Sequence, residues 1–312
     1  MMSAPLLNSD ETAKRTLWLS KMLKSYLALT KPRIVLLMIL TTFCSTIVAA
    51  GKFPDWETMA VVTIGLALSA GGASAFNMWY DRDIDQVMER TMERPLPTGQ
   101  LSDKSALAFG LGLGFLSMVW FGVFGHPLTF FLSLAGFVYY TVIYTMWLKR
   151  KTPHNIVIGS GAGAIPPMIG WAAVTGEIGW PAVMMFIIIF LWTPPHFWPL
   201  AIVRNDEYKR AGIPMMPAVR GFRYTKKQCL IYTIVLLLTT ISLYFTGLFG
   251  SLYLIGAILS GLVFLYFQIR MWFEQDDQTV WAQRAFIASR GYLAVLFALM
   301  AIDALLAKGI TP

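Results

Sequence analysis

Residues 57–80 read ETMAVVTIGLALSAGGASAFNMWY, and residues 81–85 follow at once as DRDID. After Glu57 the first stretch has no charged residue, and it exceeds the roughly 20 residues that an α-helix needs to cross the core of a bilayer. The second stretch carries four charges in five residues. The sequence therefore predicts a membrane-spanning helix that ends in a cluster of acidic side chains.

Eight other apolar runs of similar length occur along the 312-residue chain, which is 56% hydrophobic and only 13% charged. Soluble domains carry about 25% charged residues. The runs are too long for barrel strands, whereas helices satisfy their own backbone hydrogen bonds in lipid. We therefore predict an all-α membrane protein, a bundle of nine transmembrane helices, which excludes the soluble classes. The predicted spans are about 34–50, 57–80, 104–124, 127–147, 155–174, 180–203, 228–248, 251–273 and 290–307.

These spans form one predicted domain over residues 34–307, between an N-terminal tail over 1–33 and a short C-terminal tail over 308–312. Nine spans put the termini on opposite sides, and 23 of the 25 Lys and Arg residues fall on the side of the N-terminal tail. The exceptions are Lys52 and Lys308. Because basic loops stay inside the cell, the N-terminus is predicted to be cytoplasmic. The tail is typical of neither a signal peptide nor a transit peptide, which favours a bacterial inner membrane.

Three oxygen-bearing side chains are spaced by four residues where the second span ends. On a helix, Asn77, Asp81 and Asp85 share one face, and Asp83 points away from it. Like charges at this spacing repel each other, and Mg²⁺ removes the repulsion by binding carboxylates together with phosphate oxygens. A solvated helix end is the alternative, but a polar residue inside an apolar run indicates function. The pattern predicts a magnesium diphosphate site at the cytoplasmic side.

Two arginines follow this cluster in the segment ERTMERPLPTG, residues 89–99. Pro95 and Pro97 prevent a helix and favour an extended segment. Arg90 and Arg94 can place planar guanidinium groups on phosphate oxygens. Anchoring of positive charge at the membrane surface is the alternative. Their proximity to the acidic cluster favours phosphate binding.

A histidine follows a double proline near the end of the sixth span, in the run LWTPPHFW over residues 191–198. Pro194 and Pro195 predict looser hydrogen bonding and a kink. His196 is either a core histidine bonded to a carbonyl, an axial ligand of porphyrin iron, or a proton carrier. Trp192 could belong to a flat wall for a porphyrin, or to ordinary packing.

Two sets of motifs resemble a known family. The pattern Asn-x-x-x-Asp-x-x-x-Asp over 77–85, followed by Arg-Pro-x-Pro-x-Gly over 94–99, resembles the intramembrane (UbiA-type) prenyltransferase superfamily. The run over 191–198 and DEYKRAGIPM over 206–215 are similar to its heme-modifying branch. The resemblance covers nearly all spans. It implies a nine-helix fold and the Mg²⁺-dependent transfer of a farnesyl group from farnesyl diphosphate to a vinyl group of heme B, giving heme O and diphosphate. It also suggests a heme A synthase or a terminal oxidase as partner.

The resemblance implies roles for individual residues. Mg²⁺ is expected to bind Asn77, Asp81 and Asp85, and heme is expected to bind beside Trp192 and His196. The expected catalytic residues are the three Mg²⁺ ligands and His196. The diphosphate is expected on five basic side chains, Arg90, Arg94, Lys149, Lys209 and Arg210.

The chain departs from the superfamily at the second acidic motif. Many members have Asp-x-x-x-Asp there, but in this chain Arg210 follows Asp206 at the position of the second aspartate. We expect Asp206 to bind Mg²⁺ through water, with a plain surface acid as the alternative, and Lys209 and Arg210 to neutralise the diphosphate directly.

Other functions remain open on the sequence alone. The same fold could act on another acceptor, such as a quinone-precursor aromatic acid or a chlorin. A transporter would have broken helices at the bilayer midplane and polar residues spread through its spans. A non-catalytic assembly factor for a respiratory oxidase would have no need of Asn77 at membrane depth.

Small and sulfur-containing residues are interpreted as packing residues. Cys44 and Cys229 lack the paired spacing of a metal site or a disulfide. Two groups of glycines are expected to let helices approach closely: Gly110, Gly112 and Gly114, and Gly159, Gly161 and Gly163.

Overall fold

The computed structural model describes residues 9–308, and the side chains of residues 15–307. In this part of the chain every regular element is helical, and nine helical segments are long and apolar enough to cross a membrane. The predicted nine-helix bundle is confirmed. The spans, numbered here 1 to 9, are Pro32–Ala50, Trp56–Tyr80, Asp103–Phe124, Pro127–Leu148, Asn155–Thr175, Trp180–Val203, Phe222–Thr246, Ser251–Phe273 and Val280–Ala307.

Four short or peripheral helices lie at one end of the bundle, which we call the site end. They are Ser9–Leu29, Arg82–Asp85, Asn205–Arg210 and Met216–Arg220. The first of them shows that the predicted N-terminal tail is helical over most of its length. Residues 1–8 of that tail and residues 309–312 of the predicted C-terminal tail lie outside the described residues.

Spans 7 and 9 begin earlier than their apolar runs predict, at Phe222 and Val280 rather than near residues 228 and 290. The structure places charged side chains in the first turns of both helices. Lys226 is buried, and its ammonium donates to Glu274 O at 2.6 Å. The Arg284 guanidinium lies over the Trp281 ring, 4.7 Å from the ring centroid. Because each charge has a local partner, these helices extend past the purely apolar segment.

The large apolar core lies between spans 1, 5, 6, 7, 8 and 9, and a second cluster lies beneath the short helices of the site end. Cys44 and Cys229 are buried and unpaired in these two clusters, which confirms their interpretation as packing residues. Asp303, near the far end of span 9, accepts hydrogen bonds from Gly250 N at 2.6 Å and Tyr253 N at 3.1 Å. Its carboxylate therefore caps the start of span 8.

Spans 2 and 3 approach closely because glycines face each other. A Cβ on Gly72 would stand 2.7 Å from Gly110 O and 2.8 Å from Gly114 N. Tyrosine rings occupy the corresponding space beside Gly159 and Gly161. The interpretation was wrong for the two remaining members of these groups, Gly112 and Gly163, because a Cβ on either would meet open space.

The prolines of spans 5 and 6 have different effects. Span 5 is interrupted at Ile165, immediately before Pro166 and Pro167. Span 6 continues as one α-helix through Pro194 and Pro195. A third proline, Pro199, removes the N–H that would bond Pro195 O, and Gln268 of span 8 donates to that carbonyl at 3.0 Å.

Candidate active site at the end of span 2

The predicted polar face at the end of span 2 is present and buried. Asn77 lies in the last turn of the helix, and Asp81 caps it. The backbone continues almost helically, since Asp85 N donates to Asp81 O at 2.8 Å. The side chains of Asn77, Asp81 and Asp85 are therefore on one side and are nearly inaccessible to solvent. Two carboxylates and an amide at this depth require partners.

Each member of the buried polar face contacts a different cation. Lys31 Nζ donates to Asn77 Oδ1 at 2.8 Å, and Lys149 forms a short ion pair with Asp81. Arg94 binds both oxygens of the Asp85 carboxylate through Nη1, at 2.7 and 2.9 Å. The repulsion expected between the two aspartates is thus offset by basic side chains. Two of these cations, Arg94 and Lys149, are residues that the sequence predicts to bind diphosphate.

Span 4 supplies a further partner because its second half is a π-helix, Tyr139–Leu148. Thr145 Oγ1 donates to Tyr140 O five residues earlier, at 2.8 Å. The same hydroxyl accepts a hydrogen bond from Asn77 Nδ2 at 3.1 Å, and Asn77 Nδ2 also donates to Asp81 Oδ2 at 2.7 Å. π-Helical turns are rare and are often found at functional sites. This one places Thr145 and, just beyond it, Lys149 against the acidic cluster.

One oxygen of the cluster remains without a hydrogen bond. Asp81 Oδ1 is buried and accepts no hydrogen bond, and its ion pair with Arg150 Nη2 is long, at 3.6 Å. An orphaned buried carboxylate oxygen is costly unless something binds it. Hard oxygen donors of this kind suit Mg²⁺, which keeps most of its other positions for water and phosphate. No group of three or more His, Cys, Asp or Glu side chains is arranged to hold a metal ion in the described part of the chain. Any ion bound here would therefore share its coordination with a ligand.

Lys31 is a site residue that the sequence pattern does not reveal, because it is one of many basic residues at this end of the bundle. It precedes Pro32 at the start of span 1 and has a left-handed backbone, with φ 51° and ψ 58°. Among the described residues it is the only non-glycine with positive φ. Burial, and secondarily the charges of Arg94 and Lys149, lower the pKa of Lys31 to about 7. The sequence signal that could have indicated Lys31 is its position directly before Pro32 at the start of span 1, where a helical backbone is disfavoured.

Asp83 points away from the cluster, as predicted. Both of its oxygens accept hydrogen bonds from Arg150, each at 2.8 Å, and this pairing lowers the pKa of the Asp83 carboxyl. The Arg150 guanidinium also lies over the Tyr80 ring, 5.0 Å from its centroid. Arg150 thus connects the outer side of the short helix to the end of span 4. The sequence pattern predicts no site role for Arg150, which is one of the many basic residues on this side of the bundle.

Four predicted residues do not join the cluster in this structure. Arg90 is exposed. Burial raises the pKa of Tyr208, and the charge of Arg90 opposes that shift. Arg210 pairs with Glu89 at 3.2 Å on the surface. The others are Asp206 and Lys209, both exposed on the helix Asn205–Arg210. Arg210 and Arg150 do line one small cavity of about 230 Å³ at the site end.

His196 lies in a stack of aromatic rings between spans 6 and 9. The Trp192 ring is 4.3 Å from it at 13°, and the Phe286 ring is 4.8 Å away on span 9. His196 Nδ1 is 2.6 Å from Ser289 Oγ, which itself donates to Phe286 O at 2.7 Å. Because the hydroxyl has only one proton, it accepts from Nδ1–H, and Nε2 keeps its lone pair. Arg290 extends the stack, with its guanidinium 5.0 Å from the Phe286 centroid.

The model of the UbiA prenyltransferase family matches residues 38–290. Among curated relatives, a protoheme IX farnesyltransferase from Symbiobacterium thermophilum is 49% identical over 292 residues, 93% of this chain and 97% of that protein. A protoheme IX farnesyltransferase from Roseiflexus castenholzii is 44% identical over 282 residues, 90% of this chain; the match spans 52% of that longer protein.

Two solved structures share the fold. A digeranylgeranylglyceryl phosphate synthase superposes with a TM-score of 0.75 at 16% identity, over 91% of this chain and 99% of that one. A UbiA homologue from Archaeoglobus fulgidus, bound to GPP and Mg²⁺, superposes with a TM-score of 0.61 at 16% identity, over 88% and 99%. The family model and the relatives' sequences match most of the chain and lead to one assignment. The chain belongs to the UbiA prenyltransferase family.

Proposed function

We propose that this membrane prenyltransferase transfers a farnesyl group from farnesyl diphosphate to a vinyl group of heme B, giving heme O and diphosphate. The observation that carries the proposal is the buried cluster of Asn77, Asp81 and Asp85 with at least one cation on each. Similarity to curated protoheme IX farnesyltransferases indicates the donor and the acceptor. Farnesyl diphosphate has an apolar chain that can enter from lipid and a charged head that can rest at the end of the bundle.

We propose Mg²⁺ as the cofactor, held by Asn77, Asp81 and Asp85. The unpartnered Asp81 Oδ1 supports this assignment, and the Archaeoglobus fulgidus homologue binds Mg²⁺ together with GPP. Bound there, the ion would neutralise charge on the departing diphosphate. Asp206 is proposed as a further ligand through water, although its exposed position at the site end leaves it outside the buried cluster.

Lys31, Lys149 and Arg94 would exchange partners when the substrate binds. Each now pairs with an oxygen of the polar face. A diphosphate offers these cations stronger acceptors, and their movement toward it would release the amide and carboxylate oxygens for the metal. Arg90, Lys209 and Arg210 are proposed to complete the diphosphate site from the outer rim. Cations placed before the reaction stabilise developing charge without reorganisation during it.

The reaction breaks the bond between C1 of the farnesyl group and the diphosphate oxygen, and the bonding pair leaves with diphosphate. The vinyl π electrons of heme then form a carbon–carbon bond to the allylic C1. The remaining positive charge on the vinyl group is quenched by water, which loses a proton and leaves a hydroxyl. The surrounding apolar bundle must exclude other water until the carbon–carbon bond has formed. The chain needs no protein nucleophile for this chemistry.

His196 and Trp192 are proposed to hold the heme. The Nε2 lone pair of His196 suits an axial ligand of iron or a proton acceptor, and Trp192 provides a parallel aromatic surface. Ser289 fixes the tautomer, as partners of ligating histidines usually do.

The site end is proposed to face the cytoplasm in a bacterial inner membrane, with the N-terminus on the same side. The excess of basic residues at this end supports that orientation. A heme A synthase or terminal oxidase partner stays a prediction from the resemblance.

The test is to express the chain in membranes, supply heme B and farnesyl diphosphate with Mg²⁺, and measure the mass of the extracted heme. A gain in mass of one farnesyl group plus one hydroxyl group, absent with Asp81→Asn, is the expected result. A quinone-precursor aromatic acid and a chlorin are supplied in parallel. If the aromatic acid or the chlorin is prenylated while heme B is left unchanged, that compound would be the acceptor of this enzyme instead.

A further inference from the structure

Spans 8 and 9 enclose a groove of about 800 Å³ that is separate from the polar cluster. Its lining is mostly apolar and includes three small residues: Ala288 and Gly291 on span 9 and Ser260 on span 8. On span 9 the groove extends from Trp281 to Val295, about 21 Å at 1.5 Å per residue. One leaflet of hydrocarbon is about 15 Å thick. The groove is therefore long enough for an extended acyl chain.

Two arginines lie at the end of the groove that Trp281 marks. The Arg270 guanidinium is 4.2 Å from the Trp281 ring centroid, and the Arg284 guanidinium is 4.7 Å from it. Arg270 also donates to the Tyr266 hydroxyl at 3.4 Å. Trp281, Tyr266 and Arg284 all line the groove. The two positive charges are thus held around one aromatic ring at its mouth.

Neither arginine has a carboxylate partner among the side chains that the structure describes. The nearest acid along the chain, Glu274, is buried, and its two oxygens accept from Trp281 N at 2.6 Å and Ala282 N at 3.2 Å. Asp276 pairs with Lys226 at 3.0 Å. The charge at the mouth of the groove is therefore available to an external anion.

We propose that this groove binds one anionic phospholipid. An acyl chain lies along Ala288 and Gly291, and the phosphate binds Arg270 and Arg284. Guanidinium groups bind phosphate oxygens through paired, charge-assisted hydrogen bonds. A zwitterionic lipid brings a positive group close to the same arginines, so the site distinguishes lipids by headgroup charge.

The test is native mass spectrometry of the delipidated full-length protein, titrated with phosphatidylglycerol or phosphatidylcholine of identical chains. The wild-type chain is expected to bind one phosphatidylglycerol in preference to phosphatidylcholine. The double variant Arg270→Gln/Arg284→Gln should weaken phosphatidylglycerol binding about 30-fold, as expected from loss of two cations near a lipid headgroup. Arg220→Gln removes an exposed arginine elsewhere at the site end and should leave binding unchanged.

The groove itself is tested by Gly291→Leu. A Cβ at Gly291 meets no atom within 4 Å, so the added side chain fills the groove without displacing protein. Gly112→Leu is the matched control, since a Cβ there also meets open space, on span 3. We expect Gly291→Leu to weaken binding of both lipids at this site and Gly112→Leu to leave it unchanged. Equal binding of the two lipids by the wild-type chain would overturn the proposal. Displacement of bound phosphatidylglycerol by equimolar heme B would also overturn it, because it would show that the groove binds heme.

Discussion

Lys31 Nζ donates a hydrogen bond to Asn77 Oδ1 over 2.8 Å, from a residue whose backbone is in the left-handed region. This conformation is unfavourable for a non-glycine residue and costs about 1–3 kcal/mol. The contact brings a third cation to a cluster that already contains Lys149 and Arg94. A strained residue directed at a buried polar group indicates a functional requirement, because an anchoring charge could use an ordinary conformation.

Lys31→Met is therefore expected to lower kcat/KM for farnesyl diphosphate roughly 10- to 100-fold, since charge-assisted hydrogen bonds contribute about 1.5–3 kcal/mol. Lys31→Arg keeps the charge and should recover part of the rate. Lys52→Met removes an exposed lysine at the opposite end of the bundle and serves as the control. Steady-state kinetics on detergent-purified protein distinguish these outcomes. Wild-type kinetics for Lys31→Met would remove Lys31 from the site.

Asp81→Asn and Asp85→Asn are expected to reduce turnover by about 10²–10³, the range seen when one transition-state electrostatic group is removed. Both variants keep the size and most hydrogen bonds of the native side chain, so insertion into the membrane should be normal. Asp83→Asn is the matched control in the same short helix, because Asp83 is exposed and faces Arg150. The measurement is Mg²⁺-dependent product formation. Full activity of both buried variants would contradict the metal assignment.

The sequence predicts most of the fold because length and apolarity determine which segments can cross a bilayer. It also predicts Asn77, Asp81 and Asp85, since their spacing matches the helical repeat, and the helix continues almost unbroken to Asp85. Thr145 could not be predicted, because it reaches the cluster only through a π-helix, and a local pattern does not distinguish π from α.

Contacts with a distant partner account for the other differences. Gln268 on span 8 bonds the Pro195 carbonyl of span 6, which Pro199 leaves without its usual helical donor. Arg210 pairs with Glu89, far away in sequence, and so lies at the rim of the site. Such pairings depend on tertiary structure and have no signature in the local residue pattern.

His196→Ala is expected to alter heme binding more than diphosphate release. The imidazole contacts Trp192, Phe286 and Ser289, none of which belongs to the acidic cluster. The heme absorption spectrum of the purified complex should shift in the variant, whereas the Kd for farnesyl diphosphate should not change. Ser289→Ala is the companion variant, because it removes the hydroxyl that fixes the tautomer of His196 and leaves the imidazole ring in place. An unchanged heme spectrum together with an unchanged rate for His196→Ala would return the histidine to a packing role.

Gly72→Ala is expected to destabilise the bundle, although alanine favours a helix by about 0.8–1.0 kcal/mol over glycine. The new Cβ would lie 2.7 Å from Gly110 O and 2.8 Å from Gly114 N, and both are backbone atoms of span 3 that cannot rotate away. Overpacking of this kind costs about 1–3 kcal/mol, so it exceeds the gain in helix propensity.

Gly112→Ala is the matched control for that variant, because it lies on span 3 and its Cβ would meet open space. Only the higher helix propensity of alanine then affects the stability of Gly112→Ala. Its Tm in detergent should stay level or rise, whereas the Tm of Gly72→Ala should fall. Activity adds a second measurement. Gly72 lies little more than one turn before Asn77, so separation of spans 2 and 3 should also displace the amide from Lys31 and raise KM for farnesyl diphosphate. Equal Tm values for the two variants would show that spans 2 and 3 can separate without cost, contrary to the close backbone contact.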